Sequence, residues 1–281
     1  MTWTTPPPNR QSLETRLRNL EGADAAVQRR RTTMSLVVVG QMLPEGAIKG
    51  GSAMALRFGR GSRFTRDVDA SRIQSLAQFR ADFEESLVAG WEGFTGRLVE
   101  RAAPSPVGVP AGYVMQPFDV KLDYRGQSWC TAKFELGHNE IGDGDEPEYR
   151  LAEDLVELFT ELGLPAPRPV PVMPIDHQIA QKLHAASCPG SDRARDLVDL
   201  QLLAAGEQLN LGAVAATCER LFSYRQQQQQ WPPTLTVGEG WDELYVAAAD
   251  GLDVLAGAGE AVVWVNKFVK SIAAAATHHS A

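Results

Sequence analysis

Between Leu162 and Pro174 the chain reads LGLPAPRPVPVMP, and these five prolines restrict the possible fold more than any other stretch. Proline holds φ at about −65° and offers no backbone donor, so an ordinary helix cannot run through the segment. A stiff, extended link is predicted, dividing the chain into lobes at 1–160 and 161–281.

The two sides have different periodicities. Upstream, 10–39 shows helical spacing with Leu13, Leu17 and Leu20 on one side, and a very short strand is predicted at 47–49. A helix over 52–58 follows, with Ser52 placed to cap it, then a strand over 64–71 and a helix over 76–88. Residues 113–124 and 128–136 alternate as two strands, and Arg125-Gly126-Gln127 suits a hairpin between them. Downstream everything is helical: 175–186, 192–205, 212–222, 242–256 and 261–275. The fold class is therefore α+β, a mixed sheet with flanking helices followed by an all-helical lobe.

A chain of 281 residues can bury a substantial core. No apolar run approaches the roughly 20 residues of a membrane span, and MTWTTPPPNRQ lacks the apolar centre of a signal peptide, so a cytoplasmic protein is expected. Cys130, Cys188 and Cys218 are too scattered for a disulfide framework or a zinc knuckle, and buried thiols are expected. A formal net charge of −8 argues against a general nucleic-acid coat. Arginines nevertheless cluster at 29–31 and 57–72, which leaves room for a local anion-binding face.

The second cluster falls inside IKGGSAMALRFGRGSRFTRDVDA, residues 48–70. A glycine pair lets backbone approach an anion, and a helix that follows offers free amides and a favourable dipole, which makes Gly51 and Ser52 candidate phosphate donors. Lys49, just before the turn, is placed to reach the same anion. Asp67 and Asp69, two residues apart on a strand, share one face and can hold divalent metal between them. Together the two halves suggest a nucleoside triphosphate with Mg²⁺. A Walker P-loop is excluded, because GxxxxGK[ST] is absent.

On these residues the chain resembles the DNA polymerase β-like nucleotidyltransferases. GGSAMALR with RFTRDVD, an R-x-[ST]-x-D-x-D pattern containing Thr65, is more closely similar to the AbiEii-type nucleotidyltransferase toxins. The resemblance implies nucleotide contacts from Lys49, Gly51, Ser52 and Thr65, and metal binding by Asp67, Asp69 and a third carboxylate on a later strand. Asp123 in VKLDYRG and Glu135 in AKFELGH are both candidates. The hydrophobic-acid-hydrophobic triplet Phe134-Glu135-Leu136 matches the family better and points to Glu135, with Asp123 the alternative.

The helical lobe carries a second stretch, IDHQIAQKLHAASCPGSDRARDLVDLQLL. Ile175, Ile179, Leu183 and Ala186 mark a buried stripe, which leaves Lys182 on another face and free to reach a ligand. By spacing alone Arg195 and Asp199 form a surface pair. The resemblance assigns Lys182 to the triphosphate and Asp196 to support of the site, with Asp199 structural. It further implies a toxin of a toxin–antitoxin system that moves a nucleotide from a triphosphate to the tRNA 3′ end and is countered by a cognate antitoxin. Transfer to a protein or small-molecule hydroxyl, or a catalytically silent binding protein, are the alternatives. The oligomeric state stays open, a monomer being the simpler expectation.

Overall fold

The computed structural model of the chain describes residues 3–104, 114–225 and 229–277. Helices α1 (Arg10–Glu21) and α2 (Asp24–Gln41) come first, then strand β1 (Gly46–Lys49), helix α3 (Gly50–Phe58) and strand β2 (Asp67–Arg72). Next are α4 (Leu76–Ala89), β3 (Phe94–Glu100), β4 (Gln116–Tyr124), β5 (Gln127–His138), β6 (Glu148–Arg150), α5 (Glu153–Glu161) and β7 (Val170–Val172). Five helices close the chain: α6 (Ile175–Ala186), α7 (Ala194–Gly206), α8 (Leu211–Arg225), α9 (Trp241–Ala249) and α10 (Ala258–Thr277). Among the described residues no helix is long and apolar enough to cross a membrane.

The chain forms two compact units, Met1–Arg60 with Phe64–Met173, and Gly61–Arg63 with Pro174–Ala281. The division thus falls after Met173 rather than at 160/161, because the proline-rich stretch is not a bare link. Its Val170 and Val172 are buried, and β7 pairs parallel to β1 and antiparallel to β6. Proline's fixed φ lies within the extended range, so alternation of valine and proline can still enter a sheet as a short strand.

The first unit is built on a seven-stranded mixed sheet in the order β3-β4-β5-β2-β1-β7-β6. The predicted hairpin is there, with Arg125 and Gly126 at φ 47° and 74° turning β4 into β5. One sheet face carries Val68, Ala70, Phe118, Val120, Leu122, Phe134 and Leu136, all buried. Phe79 and Phe83 of α4 pack on Phe134 there, with ring centroids 6.3 and 5.2 Å away. The register shifts between Leu122 and Asp123, so Trp129 is an extra residue on β5. Such a bulge re-aims a side chain. Trp129 is buried against Phe94 and its indole donates to Glu14 of α1 at 2.9 Å. The single helix predicted over 10–39 is two, because Gly22 adopts φ 73° and its amide closes α1 on the Arg18 carbonyl.

In the second unit α6 packs on α7 and α8, and α10 on α7, α8 and α9. The core includes Ile179, Leu183, Leu197, Leu200, Phe222, Trp241 and Val265. Cys218 is buried in it, and desolvation raises its thiol pKa; burial pushes Cys130 of β5 up to about 12.

Candidate active site

On the sheet face opposite the core, Lys49, Asp67, Asp69, Asp119 and Glu135 alternate with buried residues and are half-buried, while Lys133 is exposed. Backbone register decides which of them are neighbours. Lys49 of β1 is paired with Asp69 of β2, and Asp69 with Glu135 of β5. Paired residues project to the same side of a sheet, so Lys49, Asp69 and Glu135 form one row across three adjacent strands. In the next row Asp67 is paired with Lys133 and Lys133 with Asp119. Asp123 is paired with Ser128, seven positions from Glu135, or roughly 20 Å along the strand. Glu135, and not Asp123, is thus the hairpin carboxylate beside Asp69.

The glycine turn touches this row. Gly50 has φ 62°, and a Cβ there would collide with Asp69 Oδ2, so glycine lets the first turn of α3 lie directly against the carboxylate. The Lys49 side chain reaches over β5: a Cβ on Gly137 would lie 2.7 Å from Lys49 Nζ. Ser52 does not cap α3 as predicted. The helix starts at Gly50 with Lys49 as its N-cap, and Ser52 is fully buried with Oγ donating to the Asp67 carbonyl at 2.6 Å. Thr65 Oγ1 donates to the same carbonyl at 3.4 Å. Both hydroxyls therefore fix the start of the DxD strand, and the amides of the first turn of α3, which have no intrahelical acceptor, are the donors this helix end offers.

Do these carboxylates suit a metal? Asp67 Oδ1 is buried without a hydrogen-bond partner, an acceptor in want of a cation or donor. The donor set is carboxylate oxygen, the hard ligand that Mg²⁺ prefers. As the side chains stand, no three Asp, Glu, His or Cys among the described residues converge on one metal position. That is compatible with Mg²⁺, which takes one or two carboxylates and completes its shell with water and substrate phosphate.

The second unit gathers a separate charged cluster. Helix α6 is buried on more than its apolar stripe, and Lys182, expected on an open face, is only 6% exposed. Its ammonium donates to Asp196 Oδ1 at 3.1 Å and to Asp199 Oδ2 at 2.5 Å. Asp199 is fully buried and also accepts two bonds from Arg63, Nε at 3.0 Å and Nη2 at 2.9 Å. Arg195 is exposed, so the predicted Arg195–Asp199 surface pair gives way to this buried one. Burial works against the charge on Lys182, but Asp196 and Asp199 hold it above the ordinary lysine range, with Arg63 opposing them. Burial also disfavours the Asp199 carboxylate, yet Lys182 and Arg63 bring it below its usual value.

Arg63 was legible only as the first letter of the R-x-[ST]-x-D-x-D pattern, and its partner lies 136 residues away. Most of the other clustered arginines are also engaged, although Arg66 is exposed and has no partner among the described residues. Arg57 is buried and pairs with Glu148 at 2.8 Å, Arg60 lies 3.8 Å from Asp154, and Arg72 donates to the Gln74 carbonyl at 2.7 Å. Arg30 and Arg31 pair with Glu21 and Glu14, and Arg29 stacks over Phe64. The basic face expected from 29–31 and 57–72 is therefore largely spent on internal pairing.

The mixed sheet thus sets the glycine turn against Asp69 and its neighbour Glu135. Residues 41–265 match the family model for the nucleotidyl transferase AbiEii toxin of type IV toxin–antitoxin systems, and the chain belongs to that family. No curated protein sequence matches it. Similar solved structures include MenT4, a nucleotidyltransferase toxin from Mycobacterium tuberculosis H37Rv, at a TM-score of 0.49 and 17% identity over 95% of this chain and 98% of that one. A putative nucleotidyltransferase from H. pylori overlays at a TM-score of 0.44 and 16% identity, covering 91% of this chain and 98% of the other.

Proposed function

We propose that this nucleotidyltransferase toxin transfers a nucleoside monophosphate from a triphosphate to an RNA acceptor, the tRNA 3′ end, and thereby blocks translation. The observation that carries the reading is the row Lys49–Asp69–Glu135 with the glycine turn pressed against Asp69. Family membership supplies the triphosphate and an antitoxin as partners; the register suggests how the chain's own residues divide the task.

The free amides at the start of α3, at Gly51 and Ser52, and the Lys49 ammonium bind the triphosphate, with Thr65 holding the adjoining strand. The family resemblance assigns Lys182 to the triphosphate, and Asp196 and Asp199 keep that ammonium protonated. Asp67, Asp69 and Glu135 would hold Mg²⁺, which supplies charge neutralisation on the phosphates when bound. Glu135 orients the acceptor hydroxyl and takes its proton. The hydroxyl oxygen bonds to the α-phosphorus, the bond from that phosphorus to the β-bridging oxygen breaks, and pyrophosphate leaves.

Incubation with Mg²⁺, each labelled triphosphate in turn, and total tRNA or a protein pool tests this. Label enters RNA with the wild type and is lost in Asp69→Ala and Lys182→Ala. Label in the protein pool alone, or incorporation unchanged by both substitutions, overturns it.

A further inference from the structure

An acceptor strand needs a cationic surface, and the arginine clusters of the sequence are largely engaged elsewhere. The register of the open sheet face assembles another. Lys133 of β5 is the partner of Asp67, Lys121 of β4 is paired with Thr131, and Arg97 of β3 is paired with Lys121. Lys133 and Lys121 are diagonal neighbours, roughly 7–8 Å apart, and Lys121 and Arg97 lie directly opposite each other. Lys133 and Arg97 are exposed and Lys121 is half-buried. None of the three has a hydrogen-bond or ion-pair partner among the described residues. Acids share this face: Asp67 and Asp119 flank Lys133 in the register and Asp123 follows Lys121 two residues on, while Asp119 lies 3.8 Å from Arg101.

Like charges directly opposite on neighbouring strands destabilise a sheet. Asp119 and Asp123 stand diagonal to Arg97 and soften that repulsion, but neither is bonded to Lys121 or Arg97, so both cations keep their donors for an anion lying over the face. The strand order gives that partner a direction. The glycine turn and Lys49 sit at β1, the carboxylates at β2 and β5, and the basic diagonal starts at β5 and runs outward through β4 to β3. The acidic residues thus separate two anion-binding surfaces, as a reaction between a triphosphate and a polyanionic acceptor requires.

We propose that Lys133, Lys121 and Arg97 form the track for the phosphodiester backbone of the single-stranded acceptor RNA, leading its 3′ end towards Asp67 and Glu135. This rests on the nucleotidyl-transfer reading above. Three backbone contacts on a single strand contribute about 2 to the slope of log affinity against log salt, which is roughly 100-fold in affinity at 0.1 M salt.

The test measures binding of a fluorescent single-stranded RNA oligonucleotide by anisotropy across a salt series, in wild type, in the triple variant Arg97→Gln, Lys121→Gln, Lys133→Gln, and in a control with Lys267→Gln and Lys270→Gln on α10. Thermal melting confirms folding, and binding of a fluorescent triphosphate is followed in parallel. The expected result is a roughly 100-fold weaker RNA affinity at 0.1 M salt and a slope lower by about 2 in the triple variant only, with triphosphate affinity unchanged. Lys121→Arg, which keeps the charge, retains binding. Unchanged affinity and slope in the triple variant, an equal loss in the control, or no RNA binding by the wild type overturns the track. Label passing to a protein while RNA binding still follows the three residues overturns the acceptor reading and leaves the track standing.

Discussion

Replacing Asp199 with asparagine keeps the volume of a fully buried side chain and removes the charge on which two cations depend. Asp199 accepts bonds from Arg63 at 3.0 and 2.9 Å and from Lys182 at 2.5 Å. Breaking a buried ion pair by removing one partner costs roughly 3–5 kcal/mol, because an uncompensated charge remains in a poorly solvated place. Lys182 keeps Asp196 at 3.1 Å, but Arg63 loses the carboxylate that held both of its donors, so about 4 kcal/mol is expected. For a helical unit of this size that lowers the melting midpoint by roughly 15 °C. Asp196→Asn removes one bond to a charged group and costs about 2 kcal/mol. Circular dichroism melts, with limited proteolysis to locate the unfolding unit, read both values. If Asp199→Asn and Asp196→Asn destabilise alike, or Asp199→Asn melts with the wild type, the buried cluster does not organise this unit.

The same cluster sets a pH dependence. The Asp199 carboxylate titrates below its unfolded value, so its contribution is complete above about pH 4 and is lost as pH falls through the lower folded pKa; Lys182 titrates above its unfolded value, so its contribution holds below about pH 10 and is lost only above that. Wild-type stability should therefore show an acid limb that Asp199→Asn lacks, measured by denaturant titration at stepped pH. Gly50→Ala puts a methyl group against Asp69 in a left-handed backbone conformation; it should cost about 1–2 kcal/mol of stability and reduce labelled-nucleotide incorporation at least tenfold, and full activity would contradict the close approach. Glu135→Gln should lower incorporation at least 100-fold, on the order of one catalytic carboxylate, and Asp123→Asn far less; the reverse ranking would move the third carboxylate to the hairpin end.

Local chemistry made much of this protein readable before any fold was known. The glycine pair and the DxD spacing stand out because each is a short-range pattern, and α6 begins and ends at the predicted 175–186, but the burial of Lys182 against Asp196 and Asp199 is not written in its helix. The α+β class was equally legible, since periods of two and of 3.6 residues are written along the chain. Pairing across the sheet was not. Only register puts Glu135, and leaves Asp123 out, beside Asp69, and only register aligns Arg97, Lys121 and Lys133 on one face. The fate of the arginines is hidden for the same reason. Their clustering is a property of the sequence, but whether a guanidinium meets water or a buried carboxylate such as Asp199 depends on residues far along the chain, which only tertiary structure brings together. Proline at 171 likewise forbade a helix by itself, while its entry into a strand beside β1 was decided by the hydrogen-bonding partners that the folded sheet supplied.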